Sequence, residues 1–325
     1  MKSLALLLLA AAAHAAITGT VTNQSTGKPQ AGATVALYKL GTATGLELID
    51  QAKSDAQGAF TINQAVQGPH LIRTAFDGVT YNHMLPPGQP TTGLALEVYN
   101  ASLQPGAAKV SKHMLLFEPT AGQLGVSETF LFTNDGKTAW NDPEKGTLKF
   151  FIPGGASKPD VKATAPGGMA LGTPILKTNR SDVFAADFAI KPGETRFDVT
   201  YTVPYIAGAD YAGKIVTQDE NTYLIVPNGV ALKGENLNDL GAEPRTQAHI
   251  YGLTANVYKV QLTGAVAPAP ADAGAGADQP ASEEGPRIEQ IMPRINSKVV
   301  PILCAALGIL ALGFVLLYRA KGPQA

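Results

Sequence analysis

The 325-residue chain has one cysteine, Cys304. A single thiol closes no intramolecular disulfide, so any folded part rests on ordinary hydrophobic cores. Charge of one sign is lacking too. Its 25 Lys and Arg against 26 Asp and Glu create no field that would draw nucleic acid or an anionic lipid surface. Several catalytic signatures are also missing. No His-x-x-Glu or His-Glu-x-x-His spacing occurs, which removes the zinc-peptidase arrangement. There is no Gly-x-Ser-x-Gly elbow and no exported cysteine to act as a nucleophile. The glycines from Gly264 to Gly276 lie in a low-complexity stretch and not between a strand and a helix, so neither a dinucleotide nor a phosphate loop is present. No cofactor is expected, and the chain reads as a non-enzyme.

What the sequence does have is an address. Lys2 precedes the apolar run 4–13 and the small-x-small signal Ala13-His14-Ala15, the pattern of a cleaved secretory leader, residues 1–15. Near the other end, residues 299–318 form an uncharged apolar run. At roughly 1.5 Å per residue a helix of that length spans about 30 Å, the thickness of a bilayer core. In lipid only a helix satisfies the backbone of such a run. Cys304 falls inside it. Residues 319–325, with Arg319 and Lys321, would be a cytoplasmic tail. The cations Arg287, Arg294 and Lys298 flank the outer side, so charge counting does not orient the span; the leader does. An exported, cysteine-free chain with an Ala-x-Ala signal points to a bacterial envelope. Its anchor would sit in the inner (cytoplasmic) membrane, with the bulk exported to the periplasm or outside.

Residues 16–102 alternate apolar and polar in short runs. Strands are expected at 17–22, 34–40, 46–53, 59–63, 70–76, 79–85 and 94–99. They are separated by Thr26-Gly27-Lys28-Pro29, Asp55-Ala56-Gln57-Gly58, Asp77-Gly78 and Pro86-Pro87-Gly88. Strands this short at this spacing argue a two-sheet sandwich. A two-residue Asp77-Gly78 turn would pair Ile72 with His83 and His70 with Leu85.

Five segments resemble the carboxypeptidase regulatory-like domain: Gly19-Thr20-Val21, Thr26-Gly27-Lys28-Pro29, the run from Gly32 to Leu37, the run from Ser54 to Ile62, and the run from Gly68 to Ile72. The resemblance covers about the first third of the mature chain. It implies a transthyretin-like (prealbumin-like) sandwich and an accessory, non-catalytic role. Gly32-Ala33 is expected to open a strand beside a close neighbour, Asp55 to Gly58 to form a tight hairpin, and Phe60 and Ile62 to enter the core.

Residues 103–264 keep the β character, with strands expected at 109–117, 125–133, 147–152, 183–190, 195–203, 211–217, 222–226 and 249–262. Pro192-Gly193 and Gln218-Asp219-Glu220-Asn221 are expected turns. The length suits one second sandwich. Residues 265–298, opening with an Ala/Pro/Gly-rich stretch to Pro286, form an expected disordered linker and juxtamembrane segment.

Candidate sites are few. His70 and His83 would be diagonal neighbours on one sheet face, a possible metal pair without a third ligand. Ile72, Phe76, Val79 and Tyr81 share that face, which makes it the core side. Asn134-Asp135-Gly136 and Asn141-Asp142-Pro143-Glu144 could hold calcium, or simply be turns. Trp140 and Tyr81, each beside a turn, are ligand-contact candidates, as aromatic platforms for a sugar or anchors for a protein; the alternative for Trp140 is a cap on the second core. The functional expectation is a membrane-anchored envelope protein that presents β-sandwiches to a protein or carbohydrate partner. The alternatives are a structural or assembly subunit of a membrane complex, and an accessory domain regulating a separate exported enzyme.

Overall fold

The computed structural model describes residues 16–41, 45–217 and 221–265, and these fall in one compact unit. The leader, the Gln218–Glu220 part of one turn, the linker from 266, the 299–318 span and the tail lie outside the described residues. Among the described residues no helix is long and apolar enough to cross a membrane. The described chain is β throughout.

Strands of the first region are β1 (Ile17–Asn23), β2 (Lys28–Pro29), β3 (Thr34–Leu40), β4 (Leu46–Lys53), β5 (Ala59–Ile62), β6 (His70–Phe76), β7 (Val79–Leu85), β8 (Leu94–Val98) and β9 (Asn100–Ser102). One sheet centres on β1, which pairs antiparallel with β2 and β5 and parallel with β8. The other runs β4-β3-β6-β7. Their inner faces share one core, in which Ile17, Val21, Phe60 and Ile62 meet Val35, Leu37, Ile72 and Leu85.

The turns follow their chemistry. Asp77 (φ 49°) and Gly78 (φ 74°) both take left-handed backbone, as a two-residue hairpin of this hand requires. The register is the expected one, with His70 opposite Leu85 and Ile72 opposite His83. Asp55 Oδ1 accepts the N–H groups of Gln57 (2.9 Å) and Ala59 (2.8 Å), closing a tight turn between β4 and β5; the two strands lie in different sheets, so the turn carries the chain from one sheet to the other and is not the expected hairpin. Gly32 differs from expectation. A Cβ there would meet nothing within 4 Å, and its glycine serves a φ of 74°. The close neighbours belong to Gly19 and Gly58.

The second region holds β10 (Ala108–Thr120), β11 (Gln123–Asn134), β12 (Thr138–Trp140), β13 (Leu148–Phe151), β14 (Asp160–Thr164), β15 (Leu171–Gly172), β16 (Ile175–Lys177), β17 (Val183–Ala186), β18 (Gly193–Pro204), β19 (Asp210–Lys214), β20 (Thr222–Val226), β21 (Val230–Gly234), β22 (Leu237–Ala242), β23 (His249–Leu253) and β24 (Val257–Gly264). An eight-stranded sheet, β15-β14-β18-β11-β10-β20-β23-β22, and two three-stranded sheets, β13-β17-β16 and β19-β24-β21, share one core.

Two expected strands are corrected. The strand starting at Val183 ends at Ala186 instead of 190, because Asp187 turns to donate its N–H to Pro174 O (3.0 Å). The run 249–262 is two strands, β23 and β24, in different sheets. The break at 254–256 is held by Thr254 N–H to Asn236 O (3.0 Å) and Ile215 N–H to Asn256 O (2.7 Å).

Candidate functional site

The sheet β4-β3-β6-β7 has two faces, and only one belongs to the core. On the other, Leu48 of β4, Tyr38 of β3, Leu71 of β6 and Met84 of β7 are Cα partners in sequence across all four strands. Side chains on one face of a strand repeat every second residue, so these four project together. Leu46 opposite Leu40 extends the row. The next row, Gln51, Ala36, Arg73 and Asn82, is its polar border. There the Arg73 guanidinium lies 5.0 Å over the Tyr38 ring and donates Nε–H to Asn82 Oδ1 (3.1 Å).

This face is buried only at its centre, where Leu71 is 6 % exposed and Tyr38 half-buried; its two ends are open. Leu48 is 50 % exposed and Met84 40 %, and Leu46 and Ile49 are exposed beside them. Single exposed apolar residues are ordinary, whereas a contiguous row with a polar rim marks an interaction surface. Among the described residues β4 pairs with β3 alone, so its outer N–H and C=O groups form a bare edge. A bulge at Ile49, where the register shifts from Leu37–Asp50 to Tyr38–Leu48, twists that edge.

The aromatic candidates stand elsewhere, at the junction of the two regions. Tyr81 OH donates to Tyr99 O (3.2 Å) and accepts Tyr99 N–H (3.1 Å), while Lys191 Nζ sits 4.9 Å above its ring. Trp140 takes the capping position: it packs against the second core, 6.4 Å from Phe132, and is half-buried. Its backbone exchanges hydrogen bonds with Ile190 (both 2.9 Å), and its indole N–H is buried without a partner among the described residues. The same junction joins β9 to β12 in parallel, and ties Ala101 N–H to Asp77 Oδ2 (2.7 Å) and Asn141 Nδ2 to Gly78 O (3.3 Å).

Burial lowers the Lys191 ammonium to about 8, with Arg73 adding to the effect. Burial pushes the Tyr81 phenol up to about 12, partly offset by its hydrogen bond to Tyr99. A lysine whose folded pKa lies below its unfolded value near 10.5 destabilises the fold while charged, and stability recovers as pH rises from about 8 to 10.5. Lys191→Met is therefore expected to stabilise the protein by about 1 kcal/mol at pH 7. The gain should shrink as thermal unfolding is repeated between pH 8 and 10.5.

His70 is buried with Nδ1 3.1 Å from Gly68 O, and His83 is half-buried on the same core-side face. Among the described residues no group of three or more His, Cys, Asp or Glu is placed to hold a metal. The acidic segments act as turns: Asn134 Oδ1 accepts Gly136 N–H (3.0 Å), and Asp142 Oδ1 accepts Lys145 N–H (3.0 Å). A cleft of about 420 Å³ at one end of the first region is lined by Val66, Gln67, Leu85, Pro86, Pro87 and Gln89, without a charged side chain.

A buried polar cluster in the second region carries no motif in the sequence. His113 Nε2 lies 2.7 Å from Glu128 Oε1, and Nδ1 lies 3.1 Å from Thr222 Oγ1; the three residues are 0 %, 4 % and 4 % exposed. Phe130 stacks on the imidazole at 4.1 Å. Beyond it the Tyr201 and Tyr211 hydroxyls meet at 2.8 Å. Burial first, then neighbouring phenols and Glu128, raises Tyr201 and Tyr258. The hydroxyl–imidazole–carboxylate order matches a nucleophile and its base, but so deep a hydroxyl meets no substrate, and the cluster serves the fold.

Among curated proteins none matches the chain. Residues 16–97, which hold β1 to β7, most of β8 and the whole apolar row, match the carboxypeptidase regulatory-like domain family.

Proposed function

We propose that the protein is a non-enzymatic, membrane-anchored envelope component that binds a protein partner through the outer face and free edge of the β4-β3-β6-β7 sheet. One observation carries this: the apolar row Leu48–Tyr38–Leu71–Met84, whose ends Leu48 and Met84 are exposed within the described chain although Leu71 between them is buried. Accessory domains of this family are hosts for sites and not for chemistry, which agrees with a binding role. On this reading a transthyretin-like sandwich, residues 16–102, is followed by a second, residues 103–264. The linker 265–298 gives reach from a 299–318 anchor, which raises the effective concentration for a nearby partner. Tyr81 and Trp140 are engaged within the protein, which favours a protein partner over a stacked sugar.

The test is the double variant Leu48→Lys, Met84→Lys. Both side chains are exposed, so unfolding free energy should change by less than about 0.5 kcal/mol. Proteins that co-purify with the wild type from native membranes in mild detergent should be lost. A well-folded variant that keeps the same stoichiometric partners would overturn the reading.

A further inference from the structure

Strand β4 offers more than an apolar face. Its alternate residues Glu47, Asp50 and Ala52 lie opposite Lys39, Leu37 and Val35, on the core-side parity of the sheet but at its open rim. Glu47 is exposed and Asp50 half-buried; Asp50 accepts the N–H of Gln51 (2.8 Å), and no ion pair holds either carboxylate among the described residues. Leu46, Leu48, Gln51 and Lys53 take the outer side. From Leu46 to Asp50 the edge therefore shows an added strand two chemistries: apolar on one side through Leu46 and Leu48, acidic on the other through Glu47 and Asp50.

We propose that the partner presents an extended segment in which apolar residues alternate with lysine or arginine, and that this segment adds to β4 as a new edge strand. The proposal rests on the sheet being the binding surface. Main-chain hydrogen bonds to the bare edge would supply sequence-independent affinity. The apolar residues would extend the Leu48–Tyr38–Leu71–Met84 row, and the cations would face Glu47 and Asp50. Cross-strand pairs of opposite charge favour such a register, and like charges oppose it.

A second copy of this chain fits poorly. The antiparallel register that keeps both faces matched puts Leu48 opposite Gln51 and Leu46 opposite Lys53. It sets Ala52 opposite Glu47 and Ile49 opposite Asp50, so no cation of the second copy answers either carboxylate. Edge charges of this kind discourage self-pairing.

The test uses the full-length protein in detergent with two fluorescent probe peptides of the length of β4, one alternating lysine and valine, the other glutamate and valine. Affinity is read by anisotropy and location by amide hydrogen exchange. The lysine–valine peptide should protect residues 46–53 and bind about tenfold tighter than its acidic counterpart. The variant Glu47→Lys, Asp50→Lys should reverse that preference. Protection of β4 by both peptides with equal affinity would overturn the charge assignment and leave the surface standing. Protection elsewhere, or none from either peptide, would overturn the surface as well.

Discussion

Replacing His113 with alanine should cost about 3–5 kcal/mol of unfolding free energy. The imidazole holds Glu128 Oε1 at 2.7 Å, and the carboxylate is 4 % exposed in the centre of the eight-stranded sheet. Without its partner it stays buried, uncompensated, beside a cavity where the ring stacked on Phe130. Domains are stable by only about 5–15 kcal/mol, so the loss is a large share of the whole. His113→Gln keeps a donor in reach and should recover part of it. Trp140, the sole tryptophan, packs on this core and reports urea unfolding by its fluorescence. A His113→Ala midpoint close to wild type would show that the pair contributes little.

A second large effect is expected at Gly19. A Cβ there would lie 2.3 Å from Leu94 O, 2.8 Å from a Phe60 ring carbon and 2.9 Å from Leu94 Cβ. The first obstacle is the backbone of the paired strand β8, so relief requires β1 and β8 to part. Gly19→Ala should therefore cost about 3 kcal/mol or more. Gly172→Ala is the control: a Cβ there meets nothing within 4 Å and its φ is not left-handed. It should change stability by less than about 0.5 kcal/mol. Equal denaturation midpoints for the two variants would contradict the steric account.

The first region was legible because its strands are short, alternate cleanly and end at turns with fixed backbone demands. Asp77-Gly78 alone set the β6–β7 register. The second region was less so. β14 (Asp160–Thr164) places only Val161 and Ala163 inward, too little alternation to stand out from the loops around it. The 249–262 run carries a sign of its division. Tyr251 is buried at an odd position, whereas Tyr258, Val260 and Leu262 are buried at even ones. A parity change inside one apolar run means a bulge or a break, since a regular strand keeps its faces; here it is a break. The apolar row on the outer face was hidden for a different reason. Leu48, Leu71 and Met84 are apolar, as are core residues such as Ile72 and Leu85 on the opposite face. A strand with apolar residues on both faces does not announce which one is covered. Only the pairing of four strands lines up Leu48, Tyr38, Leu71 and Met84. Position beside a turn did not show what Tyr81 and Trp140 touch: Tyr81 bonds the Tyr99 backbone at the junction, and Trp140 packs on the second core.

The most direct measurement is site-specific photo-crosslinking in the native envelope, with a photoreactive phenylalanine at position 48 or, in a separate strain, at position 206. Ile206 is an exposed apolar residue in the turn between β18 and β19, away from the proposed surface in sequence and sheet. The account predicts a discrete protein adduct from position 48 and none of that size from position 206. No adduct from position 48, or the same adducts from both, would contradict it.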